Sequence, residues 1–169
     1  MKLRFFFVLF FLFFIGFAQE GYPVPTKNKN HLFYIQHNSN HNTYVYDVNL
    51  KKNVLNTKEP IEVYRINYEK GGKREELSAI QRKFAYGVNF KPNSTSIFYL
   101  SASKNIPLTL KQQNQKYWIE VIVNNKKIRV EKIFIFIDKN TSGLNIKVDS
   151  FIIYGKTENG NSVVEKVRP

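Results

Sequence analysis

From residue 31 to residue 168 the chain keeps returning to one pattern: short runs in which apolar and polar side chains alternate, each bounded by Asn, Gly, Pro or Lys. A period of two is the signature of half-buried β-strand. "TYVYDVNL" (43–50) shows it plainly, with Tyr44, Tyr46, Val48 and Leu50 on one side. "HLFYIQH" (31–37) is apolar on both faces, as a central strand would be, and "IEVYRINY" (61–68) follows. Later runs are "YGVNF" (86–90), "TSIFYLS" (95–101), "IPLTLK" (106–111), "KYWIEVIV" (116–123), "KIRVEKIFIFI" (127–137), "IKVDSFIIYG" (146–155) and "SVVEKVR" (162–168). Pro107 suits an edge or strand-start position because it cannot donate to a ladder. Asn124-Asn125 marks a tight hairpin, since Asn tolerates positive φ. About ten strands so spaced predict a mostly β domain, an antiparallel β-sandwich or barrel.

One stretch breaks the rhythm, "EELSAIQRKFAYG" (75–87). Leu77, Ile80 and Phe84 fall at i, i+3 and i+7, which is helical spacing. Glu75 and Glu76 stand where a helix N-terminus favours acids, and Arg82 and Lys83 where its C-terminus favours bases. The spacing predicts one short helix over residues 74–84, with Leu77, Ile80 and Phe84 as its buried face. As a strand, the same residues would put Leu77 and Ile80 on opposite faces.

The first residues read differently again. Lys2 and Arg4 precede an apolar run from Phe5 to Phe17, and Gly16-Phe17-Ala18 places small residues before a cut after Ala18. That is the layout of a secretory signal peptide. Thirteen apolar residues also fall short of the roughly 20 needed to span a bilayer. The expected organisation is a signal peptide (1–18), an extended Pro- and Lys/Asn-containing lead-in (19–30) and a single β domain (31–169). Export to the periplasm or beyond, with no transmembrane segment in the mature chain, is the expected localisation. There is no cysteine, so no disulfide and no lipidated cysteine. The formal charge is +13, and removing Lys2 and Arg4 takes two from it. Lys outnumbers Arg 20 to 6, whereas Arg is the better mark of phosphate or carboxylate recognition. The basic residues are spread rather than gathered in a stripe, so nucleic acid is not the expected partner.

Three stretches look familiar together: "NHLFYIQHNSNHNTYVYDVN" (30–49), "EPIEVYRINY" (59–68) and "EELSAIQRKFAYG" (75–87). With the ending "YGKTENGNSVVEKVRP" (154–169), they resemble a family of small exported bacterial proteins known as a domain of unknown function, number 4833. The most specific piece is Ile80 to Gly87. The resemblance implies export and a single domain, and no mechanism.

Chemistry is sparse. His31, His37 and His41 lie close in sequence, but on a strand and an Asn-rich turn rather than a helix face. A metal site needs three or four converging ligands, so none is expected, nor any cofactor. There is no Gly-x-Ser-x-Gly elbow and no cysteine nucleophile. The many strand tyrosines suit sheet packing better than a ligand platform. No catalytic residue is assigned. The candidate ligand-binding residues are Gln81, Arg82, Lys83, Tyr86 and Arg74, a basic patch with amide and phenol groups suited to an anion or carboxylate. The expected function is a non-catalytic binding or accessory module of the bacterial envelope for an anionic or amphipathic ligand, a lipid or glycan. The alternatives are an envelope hydrolase assembled from scattered strand residues, or a structural partner of another envelope protein. A deep Tyr-lined cavity would mark the first, a His–acid–Ser or Tyr cluster in a cleft the second, and a flat exposed edge strand the third.

Overall fold

The computed structural model describes residues 22–141 and 146–168. The expected signal peptide, with its cut after Ala18, lies outside the described residues. Thirteen strands form: β1 (His31–His37), β2 (Asn40–Val48), β3 (Leu50–Lys51), β4 (Val54–Leu55), β5 (Ile61–Asn67), β6 (Lys73–Glu76), β7 (Val88–Phe90), β8 (Ile97–Leu100), β9 (Ser103–Gln113), β10 (Lys116–Val123), β11 (Lys126–Ile137), β12 (Val148–Lys156) and β13 (Ser162–Val167). A six-residue helix, α1 (Ala79–Phe84), stands between β6 and β7, and a 3₁₀ turn covers Tyr68–Lys70. Eleven strands belong to one sheet, and β3 and β4 pair separately.

The alternation becomes structure through tight turns. Asn114-Gln115 and Asn124-Asn125 both carry positive φ at two successive residues, the geometry that matches the twist of two-residue hairpins. Pro107 sits within β9 where the register against β8 slips, between Leu108 paired to Phe98 and Ser103 paired to Leu100, so its missing N–H breaks no regular ladder.

β11 organises the sheet. Along one edge it pairs with β10 over its first half and with β1, in parallel, over its second, while β12 follows its other edge. Two wings therefore leave the same edge: β1-β2-β5-β6 and β10-β9-β8-β7. Phe33, Ile35, Tyr46 and Val63 of the first wing share one core with Phe98, Leu108, Ile119 and Val121 of the second. The sheet is curled upon itself, a sandwich-like single body. Burying each such Phe completely contributes about 1.5–3 kcal/mol.

The end strands of the two wings, β6 and β7, are neighbours in sequence, and residues 77–87 join them. The stretch that broke the strand rhythm is thus the clasp across the open side of the curl. Two corrections follow. Residues 74–76 extend β6, pairing Arg74 with Ile66, Glu75 with Arg65 and Glu76 with Tyr64, so the helix begins at Ala79 rather than at 74. Ile80 and Phe84 are 66% and 60% exposed; of the three residues expected on its buried face, Leu77 alone is buried, and it precedes the helix. A helix of under two turns laid across a gap needs only one anchor to the core, and backbone contacts hold the rest.

Residues 22–30 of the lead-in lie along the outer face of the first wing. The Pro23 carbonyl accepts from Gln36 Nε2 at 2.8 Å and from Tyr68 Oη at 3.4 Å, and Asn28 Nδ2 donates to Asp47 at 2.6 Å.

Candidate functional site

The clasp separates the five residues the sequence grouped. Gln81 turns back on the helix start, accepting from Ser78 N at 3.1 Å while Ser78 Oγ accepts from Gln81 N at 3.2 Å, a capping box. Tyr86 points inward and stacks on Tyr44 with ring centroids 3.4 Å apart, and Tyr46 Oη donates to the Tyr86 carbonyl at 2.7 Å. Arg74 is on the opposite face of β6 from Glu75, bonded to Glu62 and laid 3.7 Å over the Tyr64 ring. Arg82 and Lys83 stay exposed, Arg82 reaching Glu76 at 3.5 Å. Gln81 and Tyr86 thus work as parts of the clasp.

Beneath the clasp is a buried aromatic and polar plug. His37 lies beside the stacked Tyr44–Tyr86 pair, 5.9 Å from each ring, with its Nδ1 2.7 Å from Ser39 Oγ. Burial pulls its pKa down to about 4. Burial pushes the Tyr86 phenol strongly up, and the neighbouring Tyr44 adds to it. Glu75 accepts from Lys70, Arg65 and Asn67, which together hold its carboxyl at about 2. Every shift favours the form that packs or pairs, and the stacking of Tyr86 on Tyr44 ties the clasp to the first wing.

A His–acid–Tyr cluster does exist on the outer face. His31 Nδ1 is 3.4 Å from Asp47, and Tyr64 Oη donates to Asp47 at 3.2 Å. Asp47 is 3% exposed, and burial followed by Asp47 pushes the Tyr64 phenol up to about 12. That direction opposes use of the phenol as a base or nucleophile. The cluster fixes the lead-in to β2. His41 packs edge-on against Tyr22 instead. The three histidines do not converge, and among the described residues no group of three His, Cys, Asp or Glu is placed to hold a metal.

The second wing carries a feature that reading along the sequence did not assemble. On β10, Ile119, Val121 and Val123 point into the core, so Lys116, Trp118 and Glu120 point out. Register then places Lys111 of β9 opposite Trp118, Arg129 of β11 opposite Glu120, and Lys156 of β12 opposite Arg129. The result is an open groove of about 600 Å³ crossing β10, β11 and β12 obliquely, from the turn at Asn114 to the turn at Thr157–Gly160. Trp118 is half-buried in it, with the Arg129 guanidinium carbon 5.3 Å from its ring centre. Lys116, Lys127, Arg129 and Lys156 line the groove against Glu120 and Glu158. Lys127 pairs with Glu158 at 2.7 Å, which raises the Lys127 pKa. A half-buried indole offers a flat apolar face, and the cations around it offer hydrogen-bonded charge. By contrast, a pocket between the second wing and the β11–β12 pair, lined by Leu108, Ile133 and Phe151, has room for about 10 Å³, far too little for an acyl chain.

A family model described as "Domain of unknown function (DUF4833)" matches residues 33–166. No curated protein and no solved structure matches the chain.

Proposed function

The chain belongs to the DUF4833 family, a domain of unknown function, and from its groove we propose that it is a non-catalytic binding module for an anionic glycan. The observation that carries this reading is Trp118, a flat apolar platform set among Lys116, Arg129 and Lys156 in an open groove of about 600 Å³. A sugar ring has an apolar C–H face to lie on an indole, and carboxylate, sulfate or phosphate substituents to reach Lys and Arg. The volume lies in the range usual for ligand sites. The groove is open and edged by charged side chains, which favours a glycan over a lipid chain. Its ends lie open at two hairpin turns, which suits a segment of a longer polymer.

Placement of this activity in the bacterial envelope rests on residues 1–18, whose charged start, apolar run and small residues before Ala18 have the layout of an export signal. N-terminal sequencing of protein from the envelope should find a chain starting at Gln19; a chain retaining Met1 would contradict it. Among the described residues no helix is long and apolar enough to cross a membrane.

Isothermal titration with oligomers of an acidic sugar, such as oligogalacturonate, tests the binding. The wild-type protein should bind with an affinity that falls as salt rises, because the charges are exposed. Trp118→Ala and Arg129→Ala should each weaken binding by about tenfold or more, the scale of losing one well-placed aromatic or charged contact. Binding unaffected by both variants would remove the groove from the account.

A further inference from the structure

We infer that helix α1 is a docking site for the surface of an anionic lipid bilayer, separate from the glycan groove and independent of it. Ile80 and Phe84 sit one turn apart and are 66% and 60% exposed. Large apolar side chains placed together on an exposed ridge mark contact surfaces. Between them in sequence are Arg82 and Lys83, both exposed, with the Lys83 ammonium 5.1 Å from the Phe84 ring centre. An apolar pair ringed by cations is complementary to a membrane interface, where rings enter the acyl boundary and cations meet lipid phosphates. Among the described residues the carboxylate paired to these cations is Glu76, 3.5 Å from Arg82 and itself exposed, so the contact is a weak one that lipid phosphate can replace.

The ridge is also held rigidly. The capping box fixes its first turn, Ser101 Oγ donates to the Arg82 carbonyl at 2.9 Å, and Ala102 N donates to the Ala85 carbonyl at 3.0 Å. Inward anchoring falls to Leu77 and Tyr86, which leaves Ile80 and Phe84 without a role in the core. Bilayer docking therefore needs no rearrangement of the clasp.

Co-sedimentation of the mature chain with vesicles tests this. Binding to vesicles of phosphatidylglycerol and phosphatidylcholine in equal parts should exceed binding to phosphatidylcholine alone by at least about tenfold, as two cations near an anionic surface imply. The Ile80→Ala/Phe84→Ala double variant should lose most of that binding, and so should Arg82→Gln/Lys83→Gln, with thermal melts unchanged in both. Trp118→Ala should bind vesicles like the wild type, which keeps this result distinct from any failure of the groove. Equal binding to both vesicle types, or full binding by the apolar double variant, would overturn the inference. So would a concentration-dependent dimer that Ile80→Ala/Phe84→Ala abolishes in the absence of vesicles, since the ridge would then serve a second copy of the chain.

Discussion

His37 shows how much the plug beneath the clasp depends on protonation. Its folded pKa is about 4 against an ordinary 6.5, so between those values the unfolded chain binds the proton that the folded chain refuses. Stability contributed by the neutral imidazole is complete above pH 6.5 and is lost as pH falls towards 4. The loss is about 3 kcal/mol at most over that window. Chemical denaturation at a series of pH values should show this slope, and His37→Phe should flatten it. Glu75, held at about 2 in the fold by Lys70, Arg65 and Asn67, adds a further loss at lower pH, because the unfolded chain takes up a proton there from about 4.5 downwards while the folded chain does not. Gly87 is constrained in a different way. A Cβ there would stand 1.9 Å from the Arg82 carbonyl oxygen, with backbone rather than a movable side chain in the way. Gly87→Ala should therefore destabilise the protein by about 3 kcal/mol, since the clasp must shift to admit it. Thermal melts would check this, and a near-neutral Gly87→Ala would contradict the close approach.

Among the elements, the clasp separates what periodicity reveals from what it hides. The 3.6-residue spacing of Leu77, Ile80 and Phe84 signalled a helix, and the Ser78–Gln81 capping box fixes its true start. The same spacing pointed to the wrong buried face, because burial here depends on what the helix spans rather than on its own pattern. Leu77→Ala should cost about 2–5 kcal/mol as a core truncation, whereas Phe84→Ala should cost no more than about 0.5 kcal/mol. Arg82→Ala, which breaks an exposed pair, should stay within about 1 kcal/mol. Equal losses for Leu77→Ala and Phe84→Ala in urea titrations would overturn the orientation of the clasp. Strand positions were easier to read. Alternation located "TYVYDVNL", and the Asn124-Asn125 turn took the positive φ expected of it. β6 was missed because Lys73–Glu76 has no apolar alternation; Arg65–Glu75 and Arg74–Glu62 pairs attach it instead.

For the whole molecule, curling brings together side chains whose sequence positions say nothing of their proximity. The fold class was legible because most of the strands carry their own pattern. The groove was not, since Trp118, Arg129 and Lys156 come from three strands and meet only through register. The available signal was that "KYWIEV" and "KKIRV" put cations and the Trp on the same outward phase, opposite the core residues. Four cations separated along the chain, Lys116, Lys127, Arg129 and Lys156, are brought to one sheet face by pairing. The proposed export, glycan binding and bilayer docking would together make this a module working at a charged polymer or lipid boundary. Trp118 is the only tryptophan of the chain, so emission under tryptophan-selective excitation reports the groove without the tyrosines. Titration with oligogalacturonate should give a saturable change in emission that salt weakens, while a neutral oligosaccharide of the same length should give none. Emission unchanged by the anionic oligomer, or an equal response to the neutral one, would contradict the assignment of the groove to an anionic glycan.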